Sequence, residues 1–326
     1  MRLRGLVVLV AGIALAAPGT AGAHLRTSRA AVDYRATVSS LGPPLAGAVS
    51  AHVYRADLAL GLRLLGRHRI VVLGYLGEPF LRLDAGGTWV NTASPTAAGT
   101  RLTASRGPSG HPLWRLRSRR PSVIWHDARV RGLPSGVRAG GWAVPLLVDG
   151  RRARLEGTIT RVAAPAALPW IVLGGLFAAL TGLLIAFRSK QLLRTAAAVL
   201  GAVAAAAALV SAIGFAVAST ATSGSWIEGA NEAAFALVGA AVLVWGSRDA
   251  KALAGGVLGL LGVAAGLTKL PVLLHGIVLS ALPGQLARLA VVVEIGAGAA
   301  AAILGVIVFF EMLEHYEEPE FLERYL

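Results

Sequence analysis

The chain has 326 residues, of which 55% are hydrophobic and only 15% charged, and its mean hydropathy is +0.66. A soluble globular domain carries roughly 25% charged residues, so the composition excludes one. The absence of cysteine also excludes a disulfide framework and any Cys-ligated zinc or iron–sulfur site.

Lys and Arg number 31 against 17 Asp and Glu, a formal net charge of +14. That excess is confined to one region. Residues 24–168 hold 21 Arg, no Lys and 7 acids, whereas residues 169–326 hold 8 basic and 10 acidic residues. A basic polar half is therefore followed by an apolar half. The first 23 residues read as a signal peptide: Arg2 and Arg4 form the basic start, residues 5–17 an apolar run, and Ala21-Gly22-Ala23 a small-x-small cleavage site. Cleavage there makes His24 the mature N-terminus. The alternative, an uncleaved anchor, has an apolar run shorter than the ~20 residues that a bilayer span needs. Export argues against a nucleic-acid partner for the basic half.

Residues 24–165 show the period of strands. Leu58, Leu60, Leu62 and Leu64 alternate with other residues, and Ile70-Val71-Val72-Leu73 reads as a strand buried on both faces. Asp84-Ala85-Gly86-Gly87 is a hairpin connection. Asp149-Gly150 favours a type I′ turn, since both positions tolerate positive φ. In the strand after it, Ala153, Leu155, Gly157 and Ile159 face one side. Residues 92–120 read as a long loop. Six to eight short strands in this region predict an all-β, immunoglobulin-like extracytoplasmic sandwich.

Five apolar segments follow, at 168–187, 192–218, 227–245, 252 to about 274, and 286–310. Each reaches the length of a transmembrane helix, so residues 166–310 are expected to form an all-α bundle of five spans. Arg188, Lys190 and Arg194 lie between spans one and two, and Arg248 and Lys251 between spans three and four. The positive-inside rule puts those loops in the cytoplasm, which agrees with an exported domain before span one. Trp170, Trp226 and Trp245 sit at span ends. The pairs Gly255/Gly259 and Gly262/Gly266 allow close helix contact. The acidic tail, residues 311–326 with six Glu and one Arg, is expected in the cytoplasm of a multi-pass plasma-membrane protein.

Charges inside spans cost at least ~2.5–3.5 kcal/mol each, so they mark candidate sites. Glu228, Asn231 and Glu232 share one helix face at the outer end of span three. Lys269, His275 and Glu294 fall at similar depth. Two readings follow: a structural Lys269–Glu294 pair closing the bundle, or a polar pocket formed by Glu228, Glu232, Lys269, His275 and Glu294. The outer domain adds His24, His52, His68, His111 and His126. A free amine and imidazole at His24 can chelate Cu(II), and His126 with Asp127 could complete that metal site; the other reading is a hydrogen-bonded structural His126. No catalytic triad, phosphate loop, HExxH or dinucleotide fingerprint occurs, and no enzymatic activity is expected.

Gly74-Tyr75-Leu76-Gly77-Glu78-Pro79-Phe80-Leu81-Arg82, then Asn91, Ser94-Pro95 and Trp125-His126-Asp127-Ala128-Arg129, resemble the motifs of a family of exported multispan membrane proteins of high-GC Gram-positive bacteria. Its members read G-Y-x-G-E-P-Y-L-R and W-H-D-H-R. Phe80 stands here for the Tyr, and Ala128 for the second His. The resemblance runs from about Asp33 through the last span and implies a β-domain before several spans. The layout also resembles, more distantly, the copper-resistance CopC and CopD pairing, which implies copper binding at an N-terminal His. Two functions follow: a non-enzymatic envelope protein whose outer domain binds a partner, or a copper-handling protein. The partners expected are the lipid bilayer and another envelope or membrane protein.

Overall fold

The computed structural model describes residues 30–316 apart from 40, 55, 57–58, 101, 103–110, 131, 188, 224–238 and 240. In chain order the β-region contains β1 (Ala31–Val32), β2 (Tyr34–Val38), β3 (Val49–Tyr54), β4 (Ala59–Leu64), β5 (Ile70–Leu73), β6 (Pro79–Asp84) and β7 (Gly87–Asn91). A short helix α1 (Pro95–Gly99) follows, then β8 (Trp114–Ser118), β9 (Ser122–Trp125), β10 (Ala139–Val148) and β11 (Arg151–Arg161). Seven strands form one antiparallel sheet in the order β2-β11-β10-β5-β6-β7-β8, and β3-β4-β9 form a second. Leu60, Leu62 and Trp125 from the smaller sheet meet Ile70, Leu81, Leu83, Val144, Leu146 and Leu155 from the larger in one core.

Asp149 (φ 50°) and Gly150 (φ 82°) take the two left-handed positions of the expected hairpin turn, with Val148 opposite Arg151. Leu155, Gly157 and Ile159 are buried while their neighbours along β11 are exposed, the alternation that the sequence carries. Gly157 is required by close approach: a Cβ there would sit 2.1 Å from the Thr37 carbonyl oxygen and 2.3 Å from the Trp142 ring.

Two expectations for this region need correction. Residues 92–120 are not one long loop: Ser94 caps α1 by accepting a hydrogen bond from Ala97 N, and Trp114–Ser118 pairs with β7. The β8 strand alternates Trp and Leu with Arg but buries neither face, so pairing with β7 defines it. On β5, only Ile70 and Val72 are buried, because Val71 and Leu73 lie on the outer side of the large sheet. On that side Arg82 is flanked by the Trp89 and Trp114 rings at 4.7 and 5.1 Å. Its Nε lies 3.0 Å from Asp84 Oδ2, a charge contact without hydrogen-bond alignment.

The apolar half contains α2 (Leu168–Ala186), α3 (Lys190–Ser223), α4 (Arg248–Thr268), the short α5 (Pro271–Leu274), β12 (Ile277–Val278) and α6 (Gly284–Tyr316). Four of these helices are long and apolar enough to cross a membrane. The expected span at 227–245 falls largely outside the described residues. The fourth expected segment stops short of residue 274: Lys269 caps α4, and the chain turns at Leu270 before Pro271, where a proline cannot continue the helix ladder.

Helices α3, α4 and α6 approach closely through glycine. A Cβ on Gly255 would sit 2.2 Å from Ala197 O, one on Gly259 2.5 Å from Gly298 O, and one on Gly305 2.7 Å from Gly256 Cα. Small residues thus let backbone meet backbone. Helix α2 buries only Thr181 and touches α6 where Phe177 covers Gly296.

Candidate functional site

Two of the polar residues expected inside the bundle come together, and a third residue joins them. Lys269 Nζ lies 3.1 Å from Glu294 Oε1 and donates to Ser211 Oγ at 2.8 Å. Ser211 in turn donates toward Glu294 Oε2 at 3.0 Å and the Ala208 carbonyl at 3.0 Å. The three come from α3, the end of α4 and α6, and their exposures are 0% (Ser211), 7% (Lys269) and 0% (Glu294). At such burial an unpaired charge is costly, so mutual neutralisation is what the position demands. Glu228, Asn231 and Glu232 lie outside the described residues.

His275 does not join this cluster. Its Nδ1 lies 2.7 Å from Asp33 Oδ2, 242 positions away, and Gly276 N donates to Asp33 Oδ1 at 2.9 Å. Burial pushes the Asp33 carboxyl up, but the Gly276 and His275 hydrogen bonds and the charges of His275 and Arg161 outweigh it and hold it below the usual range. Around this contact β1 pairs antiparallel with β12, Ala31 opposite Val278 and Val32 opposite Ile277. Ala30 and Ala31 pack with Val272 and Val291 of the bundle. Arg288 of α6 fixes the same segment, donating to the carbonyls of Val272 (3.0 Å), His275 (2.9 Å) and Gly276 (3.0 Å). The first strand of the β-region is thereby built into the segment that joins α4 to α6.

The two motifs of the β-domain also converge. Asp127, 1% exposed, accepts Arg129 Nε (2.9 Å) and Nη2 (2.7 Å), Arg129 N (3.0 Å) and Trp125 Nε1 (2.9 Å). Arg129 also donates to the Leu73 carbonyl at 3.1 Å and stacks on the Tyr75 ring at 5.0 Å. The Tyr75 hydroxyl accepts Ala128 N at 2.8 Å. Glu78 accepts from Ser94 Oγ (2.7 Å), Leu76 N (3.1 Å) and Thr96 N (3.2 Å). Burial raises its carboxyl, and these hydrogen bonds more than offset that, leaving it below the usual carboxylate range. Asn91 accepts from Ala93 N and Leu113 N and donates to the Pro79 carbonyl. Phe80 is fully buried, edge-on to Trp125 at 6.4 Å, a position that needs no hydroxyl.

This network locks three loops together rather than presenting reactive groups. Both oxygens of Asp127 are occupied, so a metal would have to displace Arg129. His126 is half-buried beside it, and His24 lies outside the described residues. His52 packs edge-on against Tyr54, and His68 pairs with Asp149 at 2.7 Å. Among the described residues, no group of three or more His, Asp or Glu is placed to hold a metal ion. Ser211 and Asp33 are the site residues that sequence reading misses, since a serine in an apolar helix and an aspartate near a predicted cleavage site carry no signal of their distant partners. No family model matches the chain, nor does any curated protein or solved structure.

Proposed function

We propose that this is a non-enzymatic integral membrane protein of the cell envelope, with an immunoglobulin-like domain outside the plasma membrane and five spans, one of them formed by residues 227–245. The outer domain is a binding platform held in fixed orientation, and the acidic tail is cytoplasmic. The observation that carries this reading is the β1–β12 junction with its Asp33–His275–Gly276 contact. A tethered domain needs only a linker; this one shares a sheet and an apolar cluster with the bundle. The basic loops of the sequence support the orientation. The saturated Asp127 and the locked loops favour binding over chemistry.

The native chain contains no cysteine, so single cysteines report cleanly. Leu76→Cys in the exposed β5–β6 loop should react with a membrane-impermeant maleimide in intact cells, and Glu314→Cys near the end of α6 should not. The opposite pattern would overturn the orientation.

A further inference from the structure

Strand register assigns the two ends of the β-domain. Tyr34 of β2 and Arg161 of β11 pair at one end, where β1 joins the bundle and β11 leads to α2. The other end is where Val148 lies opposite Arg151 and Ile70, Leu83 opposite Ile70 and Thr88, and Thr88 opposite Ser118. Turns meet there: Asp149 N donates to the Arg69 carbonyl at 2.9 Å, and Leu64 N to the Pro121 carbonyl at 2.9 Å.

These turns carry Arg67, Arg69, Arg119, Arg120, Arg151 and Arg152, all exposed. None of the six guanidinium groups forms an ion pair among the described residues. The acids at this end among the described residues are Asp84 and Asp149, and both are already engaged. Asp84 faces Arg82 and accepts from Trp89 Nε1 and Gly86 N. Asp149 faces His68, accepts Arg69 N and feels the charge of Arg151, so one carboxylate answers several guanidinium groups.

We infer that this membrane-distal end of the β-domain binds a linear polyanion bearing repeated phosphate groups. The inference rests on the platform reading and names the partner of that platform. Four features support it. The basic residues between positions 24 and 168 are all Arg, whose planar fork grips oxyanions in a bidentate manner. The charges spread from β11 across five strand steps to β8, about 24 Å at ~4.8 Å per step, a span suited to a chain of anions rather than one small ion. The crown also lies roughly 35 Å from the junction, given the 11 residues of β11 at ~3.3 Å each, which is out of reach of the headgroups around its own bundle. Leu65 is the one exposed large hydrophobic residue of these turns, and the half-buried Trp89 is tied to Asp84, so the surface is poor in the free aromatic and apolar anchors of a protein interface.

The test uses the full chain in nanodiscs of neutral lipid and fluorescent long-chain polyphosphate at about 150 mM salt. The native protein should bind, and binding should weaken as salt rises, as for other polyanion sites. Arg119→Glu/Arg120→Glu/Arg151→Glu/Arg152→Glu should weaken binding by about 10-fold or more, and the Gln version should weaken it in the same direction. Arg35→Glu/Arg138→Glu, both exposed toward the junction end, should change it by less than about 2-fold. Equal losses for crown and control variants, no binding by the native protein, or equal binding of poly-glutamate would each overturn the inference. Impermeant labelling of Arg119→Cys in intact cells separates the two failures. A labelled crown without polyphosphate binding removes this inference alone, whereas an unlabelled crown removes the platform reading beneath it.

Discussion

Replacing Glu294 by Leu removes the counter-charge of the Lys269 ammonium in a site where Lys269 is 7% exposed. At the observed 3.1 Å and an effective dielectric of about 20, the lost attraction is about 5 kcal/mol. Loss of the hydrogen bond that Ser211 donates to Glu294 adds about 1 kcal/mol, and partial relaxation of Lys269 at the end of α4 subtracts from the sum. The expected cost of Glu294→Leu is therefore about 3–5 kcal/mol, in the range for breaking a buried pair. Lys269→Met should cost a similar amount, because it leaves the buried carboxylate without its neutralising charge. The double variant removes both charges and should lose less than either single one, since apolar replacement of a whole buried pair is often neutral. Reversible unfolding of the four proteins in one detergent gives the cycle directly. Single losses that add in the double variant would show that the two charges do not depend on each other.

Other expectations follow from the same packing. Gly259→Ala places a Cβ 2.5 Å from Gly298 O and should lower the detergent melting temperature, whereas Gly174→Ala meets nothing within 4 Å and should be neutral or stabilising by up to about 1 kcal/mol. Asp127→Ala leaves Arg129 and the Trp125 indole without their acceptor and should destabilise the β-domain by about 3–5 kcal/mol, read by denaturant unfolding followed through tryptophan fluorescence. Asp33 has a depressed carboxyl pKa, so its contribution to the junction is complete above the ordinary unfolded value of about 3.9 and is lost only as pH falls through the lower folded value. Hydrogen exchange at Val32 and Leu279, whose N–H groups lie in the β1–β12 ladder, should stay protected at pH 5 in the native chain and be faster at the same pH in Asp33→Asn; identical exchange in the two would remove Asp33 from the junction.

The sequence discloses those features whose signal is local or whose burial is costly. The Asp149-Gly150 turn and the alternation along β11 are readable because backbone conformation and one-sided burial each act over a few residues. Lys269 and Glu294 are readable as partners because a lone charge in an apolar helix needs a reason. Ser211 is not, since serine in a helix is commonplace and its role comes entirely from two neighbours on other helices. The pairing of His275 with Asp33 rather than with the bundle cluster is equally hidden, because 242 positions of chain must fold before it exists. Strand β8 shows the converse limit. Its Trp-Arg-Leu-Arg-Ser sequence has an alternating pattern, but the strand is an exposed edge whose identity depends on Trp89 and Val90 opposite it.

The fixed junction between β-domain and bundle is tested most directly by a cysteine pair at Ala31 and Val278, which lie opposite each other in the β1–β12 ladder with Cβ atoms about 4.5–5.5 Å apart. In a chain with no native cysteine, Ala31→Cys/Val278→Cys should form an intramolecular disulfide under mild oxidation in intact cells, and a membrane-impermeant reductant should open it. Failure of the pair to cross-link, while a control pair at Thr37 and Thr158 within the large sheet does so, would contradict the clamped platform.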